Sequence, residues 1–270
     1  MRYLLVLLLL IGCGGGAVDA PRVEPRPVPF GWWGAGKVGG GWAVAPGNVV
    51  TIKSGSVPET IALVREVSAA GKKPLVMVHP MAWVGQKRLA FDWREKVAHV
   101  VEEVGPLVWG YYLDDEPGFN EHTDEDLAAV AAALPAGARV FMSLSVPEVE
   151  RQFIPQGVVV GVNLYHAHGD TPQTAIKHLD ALAARGKRMY LNLDGMAFTT
   201  PAGCAIPEAH QRKSIELNDA LLAWARKRSD VDAVIAFLWQ SEANVCGAAD
   251  LPILQTYLRG VAENTLKGQL

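Results

Sequence analysis

The residues best equipped for chemistry stand together: Asp114, Asp115 and Glu116 close the apolar run Trp109-Gly-Tyr-Tyr-Leu113 and are followed at once by Pro117-Gly118. Read with a period of two, Leu107, Trp109, Tyr111 and Leu113 share one face, and Gly110, Tyr112, Asp114 and Glu116 share the other. This is the pattern of a buried strand that delivers acids at its C-terminal tip. In a parallel α/β protein that tip is where ligands bind, so Asp114 and Glu116 are candidates for proton chemistry. The plainer alternative is that they cap the turn and helix that follow. Two carboxylates across a cleft, one protonated and one ionised, are the machinery that cleaves a glycosidic bond. Glu116 is the expected proton donor, because its like-charged neighbours raise its proton affinity.

Acids at one strand tip need a scaffold that brings other tips to the same place. From residue 28 onward, short β-branched runs alternate with amphipathic helices, which argues for parallel strands joined by crossover helices. Strands are expected near 29–33, 49–53, 74–79, 108–116, 139–145, 158–165, 188–194 and 233–240. Helix signals fall between them: Ser56 before Pro58 and Glu59, with Gly71 at the end; Thr123 before Asp124 and Glu125; Thr171 before Pro172, with Gly186 at the end; Asp250 before Pro252. Eight such units make one (β/α)8 TIM barrel over residues 28–264, with 265–270 as a short tail. Two crossovers are reduced. Residues 146–156 look like a shortened fifth crossover, and no helical periodicity separates the first two strands. That first gap holds Gly34-Ala-Gly-Lys-Val-Gly-Gly-Gly41, which matches G-x-G-x-x-G, but a dinucleotide site needs a helix opening at the glycines and none follows.

Strand parity then fills the pocket. The apolar face of each strand, with Val76 and Val78, Leu113, Met142 and Leu144, Val162 and Leu164, and Leu191 and Leu193, is expected to pack on the helices. The opposite parity brings Thr51 and Lys53, His79, Asp114 and Glu116, Ser143 and Ser145, Asn163 and Tyr165, Asn192 and Asp194, and Gln240 with Glu242 beyond it, to one end of the barrel. A purely structural core does not gather polar side chains strand after strand, because each costs free energy unless paired. Asp194, nearly opposite Glu116 in an eight-strand ring, is expected as nucleophile or as activator of water, with Glu242 as the alternative partner. Their separation from Glu116 decides between retention, at about 5 Å, and inversion, at about 6.5 to 9.5 Å. Lys53 is expected as an ion-pair partner of the acids. Trp32, Trp33 and Trp239 lie at strand ends, and Trp32 and Trp239 are read as sugar contacts, with Trp109 and Trp224 as packing residues. His79 is inward by parity, whereas His166-Ala-His168 is a loop pair without a matching carboxylate pattern, so no metal or other cofactor is expected.

The composition fits an ordinary enzyme domain. A formal charge of -3 and a pI near 6.2 leave no basic footprint for nucleic acid. Met1 to Ile11 carries one charge and a short apolar run, too short to span a bilayer, and reads as a signal peptide. Its end, Leu10-Ile-Gly-Cys13, resembles the lipobox of bacterial lipoproteins. That resemblance implies cleavage after residue 12, lipidation of Cys13, a tether over 13–27 and a place on the bacterial cell envelope, facing periplasm or exterior. Cys204 and Cys246 remain as a pair in a compartment that permits disulfides, and a bridge between them is expected.

The sequence Leu113-Asp-Asp-Glu-Pro117 at the end of a fourth strand resembles the acid/base motif of (β/α)8 glycoside hydrolases. In the large retaining clan, the fourth-strand acid pairs with a glutamate after the seventh strand. Glu116 matches the first position, while the seventh strand here ends in Asp194. In chitinase-like barrels an Asp-x-Glu pair works with the substrate's own acetamido group, a sixth-strand Tyr and an eighth-strand Trp, positions that Asp114, Glu116, Tyr165 and Trp239 match loosely. The resemblance implies a membrane-tethered glycosidase acting on a poly- or oligosaccharide. Two other readings stay open: a surface lipoprotein that binds carbohydrate without cleaving it, and a metal-dependent barrel hydrolase. Binding alone tolerates amides where proton transfer requires Glu116 and a partner acid.

Overall fold

The computed structural model of the chain describes residues 26–36, 41–85, 87–200, 202–242 and 244–269. The expected leader, Cys13 and the tether up to residue 25 lie outside the described residues, as do residues 37–40 of the glycine segment. Eight parallel strands close into a barrel: β1 (Phe30–Gly36), β2 (Val49–Ile52), β3 (Lys73–Met77), β4 (Gly110–Asp115), β5 (Val140–Leu144), β6 (Val158–Val162), β7 (Met189–Asp194) and β8 (Val231–Phe237). Each pairs with its neighbours in sequence, and β8 closes on β1. The (β/α)8 barrel expected from the alternation of runs is the fold observed.

Seven helices cover the described part of the barrel: α1 (Val57–Ala69), α2 (His79–Ala82), α3 (Trp93–Val104), α4 (Asp124–Ala132), α5 (Pro172–Ala184), α6 (Glu208–Ala225) and α7 (Pro252–Leu266). Their starts follow local chemistry. Ser56, Thr123 and Thr171 accept hydrogen bonds from the N–H groups of Glu59, Asp126 and Thr174, satisfying donors that the first helical turn leaves open. Gly71 and Gly186, at φ 73° and 66°, turn the chain out of α1 and α5. At α7 the cap position is held by Leu251 rather than Asp250. Between β1 and β2 the only helical turn among the described residues is the 3-10 turn Gly41–Ala43, and between β5 and β6 it is Val146–Glu148, so both reduced crossovers are present. The β3–β4 connection is longer than expected. His79 does not end β3 but opens α2, and the hairpin of Trp83–Val84 with Arg88–Leu89 precedes α3.

Apolar side chains divide by strand parity. Val50, Ile52, Val76, Val78, Leu113, Met142, Leu144, Val162, Leu191 and Leu193 pack against the helices, while Trp33, Val49, Leu75, Met77, Tyr112, Phe141 and Tyr190 fill the barrel interior. Gly161 makes room for one of these rings, since a Cβ there would lie 2.5 Å from the Tyr190 ring. The alternation is broken in β4, where Tyr112 pairs with Phe141 but Asp114 pairs with Met142 and Asp115 with Ser143. Met142 faces the helices, so this bulge turns Asp114 into the wall and Asp115 into the barrel.

Candidate active site

The bulge decides which acids reach the cleft. Two cavities, of about 230 Å³ and about 200 Å³, open at the C-terminal end of the barrel, and Asp115 and Glu116 line both. The larger is walled by Trp33, Asn163, Tyr165, His168, Asn192, Met196, Phe198, Phe237 and Val245. The smaller is walled by Lys53, Met77, His79, Pro80, Phe119 and Asn120. Glu116 has a left-handed backbone, φ 56°, which a non-glycine residue adopts only at a cost of roughly 1–3 kcal/mol. Hydrogen bonds on both sides hold it there: Glu116 N–H donates to the Ser143 carbonyl at 3.0 Å, and Asn120 N–H to the Glu116 carbonyl at 3.1 Å.

One amide ties the two carboxylates together. Asn163 Nδ2 donates to Glu116 Oε1 at 2.7 Å and to Asp115 Oδ1 at 3.2 Å, and the Tyr112 hydroxyl donates to the same Asp115 oxygen at 3.0 Å. Asn163 is fixed in turn. Its Oδ1 accepts from Asn192 Nδ2 at 2.7 Å and from the Tyr165 hydroxyl at 3.3 Å, and Asn192 Nδ2 also donates to the Tyr165 hydroxyl at 2.7 Å. Asn192 Oδ1 is buried without a hydrogen-bond partner in the described protein. Below this layer, the Ser143 and Tyr190 hydroxyls are hydrogen-bonded to each other. Burial raises the pKa of Glu116 above its ordinary value, with the like charges of Asp115 and Glu148 adding to it and the Asn163 bond opposing. Asp115 is also raised, first by burial, against the hydrogen bonds of Asn163 and Tyr112. Burial holds Tyr165 well above the ordinary phenol range, so it remains a neutral donor.

Several expectations are corrected by these positions. Asp114 is fully buried and does not line either cavity; its two oxygens accept from His79 Nδ1, at 2.5 Å, and from His122 Nδ1. Asp115, at the bulge, takes the cleft position that parity had assigned to Asp114. Asp194 is also fully buried and lies outside the lining of both cavities. Its carboxylate accepts from the backbone N–H groups of His166, at 2.9 Å, and Met196, at 3.3 Å, while Asn218 on α6 pairs with its backbone. Burial pushes its pKa up to about 6. It fastens two loops and lines neither cavity. Gln240 and Glu242 belong to the turn after β8 and line neither cavity, and Glu242 exchanges two backbone hydrogen bonds with Val245.

Trp32 and Trp239 are buried on the helix side of the barrel, packed edge to face at 4.9 Å, and Trp32 Nε1 donates to the Pro46 carbonyl. They do not reach the cleft. The tryptophan that does is Trp33, one residue on, set against Tyr112 at 4.2 Å. Lys53 borders the smaller cavity but forms no ion pair with the acids. His79, at the start of α2, lines the smaller cavity, and Asn163, Tyr165 and Asn192 line the larger one.

Residues that sequence reasoning did not place come from loops. Met196–Phe198 and Val245–Gly247 form a two-stranded antiparallel flap over the larger cavity, pinned by the Cys204–Cys246 disulfide, which is present as expected. His168 stacks on Phe198 at 5.5 Å and meets the edge of Tyr165. Metal-type ligand atoms of His79, Asp114 and His122 lie within 4.8 Å of one another. Each Nδ1 bonds a different oxygen of Asp114, so the one carboxylate bridges the two imidazoles.

No protein-family model matches the chain, and no curated protein matches its sequence. Solved structures do match in shape. The intracellular xylanase TsXylA of Thermoanaerobacterium saccharolyticum aligns at a TM-score of 0.55 and 10% identity over 83% of this chain and 93% of that one. The GH113 β-mannanase AaManA of Alicyclobacillus acidocaldarius aligns at 0.51 and 12% over 87% and 97%. CbXyn10B aligns at 0.55 and 8% over 78% and 84%. At such identities the likeness establishes the fold: this chain has the (β/α)8 barrel that glycoside hydrolases such as these use.

Proposed function

We propose that this chain is a glycoside hydrolase acting on a poly- or oligosaccharide, with Glu116 as the proton donor. The observation that carries the reading is the pair at the β4 tip: Asp115 and Glu116 share the amide N–H groups of Asn163 and line both cavities, so a glycosidic bond lying across them meets the carboxyls at its oxygen. A buried pair of neighbouring acids titrates as a unit and keeps one proton longer than an isolated acid. Glu116, with the single Asn163 contact, is the member left to carry that proton. Asp115, held by Tyr112 and Asn163, is the anion that stabilises the positive charge of an oxocarbenium-like transition state. The two cavities meet at Asp115 and Glu116 and hold the sugar residues on either side of the scissile bond. The barrel's likeness to xylanase and mannanase structures supports the reaction class.

A second reading is favoured by one specific observation. Among the described residues lining the two cavities, the only carboxylates are Asp115 and Glu116, side by side at the tip of β4. A carbohydrate-capture protein needs no acid on the opposite wall. Reducing-end release from a panel of bacterial, plant and chitin-type polysaccharides, by the protein and by Glu116→Gln, separates the two. Release lost in the folded variant supports the hydrolase. Saccharide binding without release by either form supports capture. For the N-terminus we propose what its sequence implies: cleavage before Cys13 and lipid anchoring at Cys13 to a bacterial envelope membrane. No helix among the described residues is long and apolar enough to cross a membrane.

A further inference from the structure

We infer that His79 is the base of this site, the group that takes the proton from the attacking water, and that Asp114 and His122 hold it in place. The inference rests on the hydrolase reading above. A displacement at a sugar carbon needs a proton donor on one side and a proton acceptor that reaches the water on the other. Asp115 cannot serve as that acceptor, because it stands next to Glu116 at the tip of β4 and is bound to the same amide. Asp194, the acid expected across the ring, is buried and engaged by backbone N–H groups. Two imidazoles remain among the described residues around the cleft, His79 and His168.

They are not equivalent. His168 is packed between aromatic rings, and no carboxylate orients it. His79 has the arrangement that defines a general base: its Nδ1 is 2.5 Å from Asp114 Oδ1, on a carboxylate with 0% exposure. Asp114 is itself immobilised, since its Oδ1 also accepts the Asp115 N–H at 2.7 Å and its Oδ2 accepts from His122. His122 lies under the Trp83 ring, stacked at 4.5 Å, which closes this assembly from behind. A carboxylate on Nδ1 places the ring proton there and leaves the Nε2 lone pair free. Nε2 has no hydrogen-bond partner among the described residues, and His79 lines the cavity that also holds Asp115, Glu116 and Lys53.

The step balances without any further reactant. Water gives a proton to His79 Nε2 as its oxygen bonds to the anomeric carbon; the bond from that carbon to the leaving oxygen breaks, and that oxygen takes the proton of Glu116. His79 then loses its proton to solvent and Glu116 regains one, so a turnover consumes one water and inverts the anomeric centre. Asp114 and His122 are positioning residues.

The test uses the saccharide that the release panel identifies. His79→Ala should lower kcat by about 10² to 10⁴ with KM within twofold, the range a general base contributes. Added azide should restore at least about tenfold of the lost rate and yield a glycosyl azide of inverted configuration, which a structural role of His79 would not produce. Asp114→Asn, nearly equal in volume, should fold and lower kcat by at least about tenfold with KM unchanged, because an amide favours the wrong tautomer. Three results overturn the assignment while leaving the hydrolase intact: a rise in KM with kcat preserved, a folded His79→Ala that azide does not rescue, or activity abolished by a chelator and restored by zinc. Absence of hydrolysis by the unmodified protein overturns both readings together.

Discussion

Replacing Asn163 with alanine separates the two jobs that its one amide performs. Nδ2 donates to Glu116 and Asp115, and Oδ1 accepts from Tyr165 and Asn192. Both carboxylates lose a donor that favours their charged form, so both pKa values move up, adding to the upward shift that burial already imposes. A hydrogen bond to a charged group contributes about 1.5–3 kcal/mol, equivalent to about 1–2 pH units in a closed site and roughly half that here, because Glu116 is partly open to solvent. The general acid must be protonated to work, so the alkaline limb of the pH profile should shift upward by about 0.5–1 unit even as the maximal rate falls. On the other side of the amide, the buried Tyr165 hydroxyl and Asn192 Nδ2 lose an acceptor, which should lower stability by about 2–4 kcal/mol. The assays are kcat/KM against pH and urea unfolding. A folded Asn163→Ala whose alkaline limb stays in place or moves down refutes the shared-amide geometry as the control on Glu116.

Three further outcomes follow from particular contacts. Trp33→Phe should weaken saccharide binding about tenfold, whereas Trp32→Phe should leave binding within about twofold and lower thermal stability, measured by calorimetric titration and melting. Gly161→Ala places a Cβ 2.5 Å from the Tyr190 ring and should cost about 1–3 kcal/mol in urea unfolding while displacing the Tyr190 hydroxyl from Ser143. Asp194 is raised to about 6 in the fold, so between about pH 4 and pH 6 the native protein holds a proton that the unfolded chain has released. Its contribution to stability therefore declines as pH rises through that window, by about 3 kcal/mol in all, and unfolding at pH 4 and pH 7 should show a flatter slope for Asp194→Asn than for the unmodified protein.

The sequence made the scaffold legible because period-two runs and helix caps are local signals. Ser56, Thr123 and Thr171 cap helices where their types said they would, and the helix-facing residues Val76, Met142, Val162 and Leu191 hold the parity read from alternation. The candidate site was legible only where a strand is regular. Asn163 and Asn192, on or just past the unbroken β6 and β7, arrive in the cleft, but a single extra residue in β4 exchanged Asp114 for Asp115. Alternation cannot reveal such a bulge, since Leu113-Asp114-Asp115-Glu116 offers carboxylates at both parities. At β1 the neighbours Trp32 and Trp33 are one residue type, and only pairing with β2 and β8 tells which one faces inward. Asp194 sits at the expected strand end, yet backbone donors from loops on either side claim its oxygens, a tertiary effect that no spacing encodes.

The most direct test of Glu116 as general acid is the leaving-group dependence of Glu116→Gln on glycosides of the sugar found in the panel. A dinitrophenyl leaving group departs without a proton, whereas a sugar or alkyl alcohol needs one. We predict that kcat/KM falls by about 10² to 10⁴ on the poor leaving group and stays within about tenfold on the activated one. Equal losses on both substrates would contradict the assignment and remove Glu116 from the role of proton donor.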